Sequence, residues 1–448
     1  MQPTNIGIYK HIYLLVLFIS SFTISQSFSQ TTEIPDSNFE EVLVNLNIDT
    51  NGLNGNILNS DAIGITQLSL SDNYIHDLSG LEAFVNLKAL DCSFNNLSSI
   101  DLSQNIHLEE LNANENQINS INVTLNSKLE FLSLSSNQLS FIDITNNLDL
   151  EHLSINLNNL TSLNVSNNIN LDYLSCYSNN LPSIDVINNT NLKYLFINDN
   201  ELMNLDVSQN ILLKTLSCGS NELTTINLED NSELNYLDCR INNITSLDLS
   251  VCIDLKRLFV SNNLLSELDV SNHPELLLLY ARYNNLTSLD ISNNPDLRWI
   301  RCEGNNLSNV DFRNGNNSRI SEFVMTENSN LSCIFVDDAE AGYLANWLID
   351  DASAFVEDES DCEALSVVEE ELTIGFNMFP NPATEMVSIS INTNQADLEI
   401  YSIKGQLILN KPLTFGKNII QLNALSSGMY LVKITSDNFT EAKKLLLN

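Results

Sequence analysis

Leucine recurs at 87, 108, 129, 150, 171, 192, 213, 234, 255, 276 and 297, a spacing of 21 residues held ten times without a slip. A period this regular restricts the chain to an array of one supersecondary unit, because no unit of this length buries its own apolar edge. With that leucine as position 0, position 3 runs from Leu90 to Leu279 and ends in Ile300. Position 8 is asparagine in all eleven repeats, Asn95 to Asn305, and positions 10, 13 and 15 are aliphatic apart from Phe312. Apolar positions 3 and 5 alternate with positions 2, 4 and 6, the pattern of a short strand with one buried face. A 22-residue unit from Ile65 to Asn86 precedes the run, and a worn unit at Ile320 closes it.

The asparagine at position 8 stands where the chain turns away from the strand. There its amide can pair backbone groups that the turn would otherwise bury unsatisfied. A second asparagine column at position 18 includes Asn105, Asn126, Asn147, Asn168, Asn189, Asn210, Asn231 and Asn294, with Cys252 out of pattern. The two columns account for 19 of the 69 asparagines in 448 residues.

The unit reads LxxLx[C/A/I/L/V]xxNxLxx[I/L][D/N]LSxNxx and resembles the leucine-rich repeat, above all 21-residue bacterial versions of flavobacterial type. The resemblance implies an α/β-type solenoid over residues 65–331, about 13 repeats, with a parallel sheet on its concave face and little helix. Residues 30–64 hold an amphipathic stretch that suits an N-terminal cap. Within it, Asp49-Thr-Asn51-Gly-Leu-Asn54-Gly55 is a polar turn with a faint similarity to a calcium loop, but Leu53 stands where such a loop wants oxygen. Residues 332–362 resemble the C-terminal cap of exported flavobacterial proteins of this repeat type.

Residues 12–24, IYLLVLFISSFTI, are too short for a membrane-spanning helix. They precede a small-x-small site at Ser27-Phe28-Ser29, so residues 1–29 read as a signal peptide. No later segment has the apolar length of a membrane span. In an exported chain Cys333 and Cys362, which bracket the C-terminal cap, suit a disulfide. Cys92, Cys176, Cys218, Cys239 and Cys302 all fall at position 5, facing the core, and read as small buried hydrophobes. The absence of any CxxC pair leaves zinc unsupported.

Residues 363–375 read as an acidic linker, and from Phe376 the pattern changes to six or seven short strands, MVSISI, LEIYSI, QLILN, NIIQL, MYLVKI and KLLLN among them. That pattern suggests a small all-β sandwich. Residues 376–448 resemble the type A C-terminal sorting domain of the type IX secretion system. The residues that carry this are Pro380, Asn381 and Pro382, Gly405 in IYSIKGQLI, Gly428 and Tyr430 in SSGMYLVKI, and Lys443-Lys444 near the end. The resemblance implies export through the type IX machinery to the cell surface or the medium.

Composition narrows the function. With 57 acidic against 19 basic residues the net charge is −38, which excludes nucleic acid as the main partner. All seven arginines nevertheless lie between Arg240 and Arg319. The outward strand positions gather Tyr173, Tyr177, Tyr194, Phe196, Tyr236, Arg240, Arg257, Phe259, Tyr280, Arg282, Trp299 and Arg301. Tyrosine, tryptophan and arginine dominate interface hot spots, and arginine holds carboxylates. These twelve residues are the candidate ligand-binding surface, for a protein or an acidic glycan. His152 and Ser154 share a strand beside acids, but no nucleophile elbow or metal motif accompanies them. The expectation is therefore a secreted or cell-surface binding or adhesion protein, neither an enzyme nor a cofactor carrier. A surface-layer protein without a specific ligand, or less readily a hydrolase, is the alternative. A column at position 14, Asp101 to Asp311 with asparagine at 122, 164 and 227, is expected either to bond the residue at position 16 or to bridge calcium.

Overall fold

Each repeat contributes a three-residue strand at positions 2 to 4, such as Arg257–Phe259, where a buried leucine sits between two outward side chains. A computed structural model describes residues 30–363, 376–436 and 440–448. The expected signal peptide and all but the first residue of the expected linker lie outside them. The chain divides into two compact units between Phe355 and Val356.

In the first unit thirteen parallel strands, from Gln67–Ser69 to Glu322–Val324, form one sheet. The register is fixed by the period: Leu216 lies opposite Leu237, and Leu237 opposite Leu258. Position-0 and position-3 leucines are fully buried along the array, for example Leu171, Leu174, Leu192 and Leu195 at 0% exposure. The five position-5 cysteines are buried and free. Burial pushes the Cys176 thiol up to about 12 and, with a smaller contribution from Asp248, that of Cys252 up to about 11. Helix is confined to short segments such as Ser37–Asn45 and Asn59–Ala62.

Asparagine at position 8 closes the turn after each strand. Asn179 donates through Nδ2 to the carbonyls of Ile155 and Cys176, each at 3.1 Å, and its Oδ1 accepts from the Leu160 N–H at 3.0 Å. The residue before it is left-handed in repeat after repeat, even where it is Phe94, Leu157 or Ile241 (φ 54°, 55° and 54°). That conformation is unfavourable by roughly 1–2 kcal/mol for a residue with a Cβ, and the buried asparagine bonds offset it. At position 18, Asn168 donates to the carbonyls of Ile144 and Asn147 at 3.1 and 2.8 Å while its own Oδ1 stays buried and unpartnered. Cys252 and His273 take over this place, reaching Asn231 O at 3.6 Å and Leu249 O at 3.1 Å.

The position-14 column forms turns. Asp248 Oδ1 accepts from the Ser250 N–H at 2.9 Å, and Asn227 does the same with Glu229 at 3.1 Å. These bonds hold Asp143, Asp206, Asp248 and Asp269 below the usual carboxylate range. A depressed folded pKa adds stability that is present above the unfolded value and is lost as pH falls through the folded one. Replacing the four with asparagine, which keeps an acceptor but not the charge, is expected to lower stability slightly at neutral pH and to flatten its loss below about pH 4. Acid titration followed by circular dichroism checks this; an unaltered acid limb contradicts it. Calcium is expected to leave the melting temperature unchanged, as the carboxylates are already engaged in turns.

Asp36 caps the helix Ser37–Asn45, its Oδ1 accepting from Asn38 N at 2.9 Å and Phe39 N at 3.2 Å. Its Oδ2 accepts from the backbone of His76 and Asp77, joining the cap to the first repeat. The Asp49 loop is a turn gathered by Glu40, whose Oε1 accepts from the backbone N–H groups of Asn54, Gly55 and Asn56. At the far end Phe323 stacks on Trp347 at 4.1 Å between ring centroids. A second, four-stranded sheet there begins with Ser288–Asp290 and Asn309–Asp311. Cys333 and Cys362 are disulfide-bonded, and the other six cysteines are free. Thiol labelling is expected to find no reactive cysteine in the native chain and six after denaturation. Reducing the bridge is expected to destabilise its surroundings by roughly 3–4 kcal/mol, read as a lower melting temperature.

The second unit is one five-stranded antiparallel sheet, curled in the manner of a small sandwich or barrel. Its strands are fewer and longer than the six or seven expected. MVSISI and LEIYSI join into Met386–Ser402, and QLILN and NIIQL into Leu407–Gln421. A register shift between Ile391 and Gln395 interrupts the pairing where the sequence suggested a turn. Val387, Ile389, Leu398, Ile400, Val432, Ile434 and Leu445 form its core.

Candidate functional site: the outward face of the solenoid sheet

Positions 2 and 4 point away from the core, so strand pairing lines their side chains up in rows about 4.8 Å apart. Close-set rings stack. Phe131 lies 4.5 Å from His152, and His152 lies 4.1 Å from Tyr173 with the ring planes 6° apart. Tyr173 then meets Tyr194 and Phe196, tilted, at 6.2 and 5.5 Å. Desolvation lowers the pKa of His152 and outweighs the pull of Asp172. Tyr177 lies half-buried just beyond the strand Tyr173–Ser175.

The aromatic row breaks at Thr215 and Ser217 and resumes with Tyr236, Phe259 and Tyr280, where adjacent ring centroids are 5.5 Å apart. Arg240 lies over the Phe259 ring at 5.4 Å and pairs with the buried Asp238 at 2.8 Å. Gly219 makes room for this pair, since a Cβ there would stand 3.0 Å from Arg240 O and 3.1 Å from Asp238 Oδ1.

The arginines are less available than their positions suggest. Arg282 and Arg301 both face the buried Glu303, at 3.7 and 3.1 Å, and Arg301 also faces Glu322 at 3.8 Å. Tyr280 donates its hydroxyl proton to Glu322 at 2.7 Å; burial and that carboxylate push the phenol up to about 12. Three of the four candidate arginines are thus neutralised by acids of the same face. Arg257 differs: it is exposed on the strand Arg257–Phe259 and its guanidinium makes no ion pair or hydrogen bond among the described residues. Leu278 and Trp299 follow it along the row, the indole 40% exposed. The structure therefore brings Tyr236, Arg257, Phe259, Tyr280 and Trp299 together, and sets Tyr173, Tyr177, Tyr194 and Phe196 apart as a second group. Sequence positions revealed both groups, but the acids that occupy Arg240, Arg282 and Arg301 come from neighbouring positions that column reading treats separately.

The sorting residues of the second unit also converge. Asn381 donates to Lys444 O at 2.7 Å and accepts from Leu446 N at 2.8 Å, clamping Pro380-Asn381-Pro382 to the last strand. Lys443 lies over the Phe376 ring at 4.9 Å. Gly405 takes φ 77° in the turn between the two long strands, Gly428 opens the strand Gly428–Thr435, and Tyr430 donates to Ser426 O at 2.6 Å. Among the described residues, no helix is long and apolar enough to cross a membrane and no group of three acids, histidines or cysteines is placed to hold a metal ion.

Fold and face together define a repeat solenoid of leucine-rich type with an aromatic outward sheet. Similar solved structures include the functional domain of InlJ from Listeria monocytogenes, at 24% identity and TM-score 0.62, covering 94% of this chain and 99% of that one. The internalin InlF from Listeria monocytogenes is similar at 20% identity and TM-score 0.52, covering 71% and 92%. The plant peptide hormone receptor RGFR1, solved with RGF2, is similar at 18% identity and TM-score 0.50, covering 57% and 49%. No curated protein matches the chain by sequence. Residues 377–448 match the family described as the secretion system C-terminal sorting domain. The chain is thus a leucine-rich-repeat-like solenoid fused to a type IX sorting domain, the address of a secreted or cell-surface protein.

Proposed function

We propose that this is an adhesion or recognition protein, not an enzyme, whose outward sheet face binds a protein or an acidic glycan. The observation that carries this reading is Arg257, an unpaired guanidinium in a chain of net charge −38, set among Tyr236, Phe259, Tyr280 and Trp299. An exposed cation flanked by ordered aromatic area is the composition of a binding hot spot. The sorting domain would deliver this face to the outside of the cell through the type IX machinery. A protein and glycan array probed with the purified chain tests the proposal. A discrete hit supports it, and silence across the array counts against it.

The surface-layer alternative draws on a different feature, the exposed aliphatic residues Ile106, Leu148, Ile169, Ile211 and Ile253, each between 47% and 56% exposed. Silence on the array combined with concentration-dependent self-association would favour that role.

A further inference from the structure

At the N-terminal end of the same face, before the aromatic rows begin, lies a cavity of about 590 Å³. It exists because the outward side chains are short there: Ser69, Ala89 and Asp91 occupy places that later repeats fill with rings. Leu46 and Ile48, from the chain that leaves the cap helix, wall one end, and Phe131 walls the other. Phe131 is held in place by its stack on His152. Asp91 and Glu110 line the cavity with Gln67 and Asn112, and no lining residue is basic.

Among the described residues neither carboxylate has a cationic partner. Asp91 engages only Oδ1, accepting from the Ser93 N–H at 3.0 Å and hydroxyl at 2.6 Å. Glu110 is exposed and its carboxylate has no hydrogen-bond partner among the described residues. Lys88, adjacent in sequence to a lining residue, is held by Glu109 at 2.7 Å. The cavity therefore offers apolar walls with anionic oxygen at its floor and rim, a match for a methylene stem carrying a cationic head.

We propose that this cavity receives a lysine or arginine side chain of a polypeptide partner. The proposal rests on the reading of the sheet face as a binding surface, and it selects a polypeptide over an acidic glycan, whose carboxylates Asp91 and Glu110 repel. Seven inter-strand steps separate the strand of Glu110 from that of Arg257. At about 4.8 Å per step that is about 34 Å, which an extended peptide crosses in about ten residues. The partner is thus a segment of at least that length, basic at the end seated by the cap and acidic at the end seated on Arg257.

The test pans the full chain against a displayed random dodecapeptide library and measures Kd for the enriched peptides. A basic residue is expected about ten positions from an acidic one. D91N/E110Q, which keeps shape and the Ser93 bonds, is expected to weaken binding at least tenfold. Replacing the peptide's basic residue with norleucine should give the same loss, and the two changes together no more than either alone. Enriched peptides without a basic residue, or affinity unaltered in D91N/E110Q while R257A abolishes it, overturn the cation site and leave the face reading standing. Peptides insensitive to both variants overturn both. No enrichment from the wild-type chain overturns the cation site, and an array glycan lost on R257A would then show the face still at work.

Discussion

The triple variant Tyr236→Ala, Arg257→Ala, Tyr280→Ala is expected to abolish partner binding, with at least a hundredfold rise in Kd, while the solenoid stays folded. Hot-spot residues contribute about 2 kcal/mol or more each, so losing two rings and the Arg257 guanidinium exceeds a hundredfold even if the three overlap. Folding survives because the three side chains lie on the outward face. The leucines behind them, Leu237, Leu258 and Leu279, are 0% exposed and untouched. Phe259 loses both ring neighbours and Glu322 loses the Tyr280 hydroxyl, so a small drop in melting temperature should accompany the change. Circular dichroism and the array hit together decide the matter. Intact folding with unchanged binding would remove the face from the proposal. Arg257→Ala alone should weaken binding more than Arg282→Ala, since Arg282 already faces Glu303.

Much of the architecture is legible because the period is strict. A leucine every 21 residues fixes the strand, its register and the buried face, and the cysteines at position 5 follow into the core. The sorting unit was readable from Pro380-Asn381-Pro382 and the later glycine and lysine motifs, though its strand count was not. Long strands merge there because a register shift, rather than a turn, absorbs the polar stretch after Ile391. The left-handed residue of each repeat was invisible for a different reason. Phe94, Leu157 and Ile241 carry no local signal for that conformation, which is imposed by the asparagine that follows. The pairing of Arg282 and Arg301 with Glu303 was equally hidden, since Arg282 reaches Glu303 from the neighbouring repeat and Arg301 from a different column of the same one. The N-terminal cavity has a fainter signal, a run of small outward residues that reads in sequence only as a lack of aromatics.

The two asparagine columns look alike in sequence and are expected to differ sharply in what they contribute. Asn179→Ala should destabilise its repeat by roughly 2–4 kcal/mol, because among the described residues the buried Leu160 N–H has no acceptor other than Asn179 Oδ1. The carbonyl of Ile155 would keep one partner, the amide of Asn158, so the damage centres on that single orphaned donor and the space beside it. Asn168→Ala, one column over, should cost only about 1 kcal/mol. Its two acceptor carbonyls, Ile144 O and Asn147 O, already receive backbone N–H groups from Asn147 and Leu150. Its Oδ1 is a buried acceptor with nothing to accept, so alanine also removes an unsatisfied group. The chain contains its own precedent, as Cys252 and His273 occupy position 18 while position 8 is asparagine in every repeat from Asn95 to Asn305. Because a solenoid is stabilised by nearest-neighbour contacts, the Asn179 lesion should appear first as faster amide exchange in the two adjoining repeats, ahead of global unfolding. Hydrogen exchange and urea melts of the two single variants measure the contrast. Equal costs would mean that the hydrogen-bond inventory of the turns does not govern their stability.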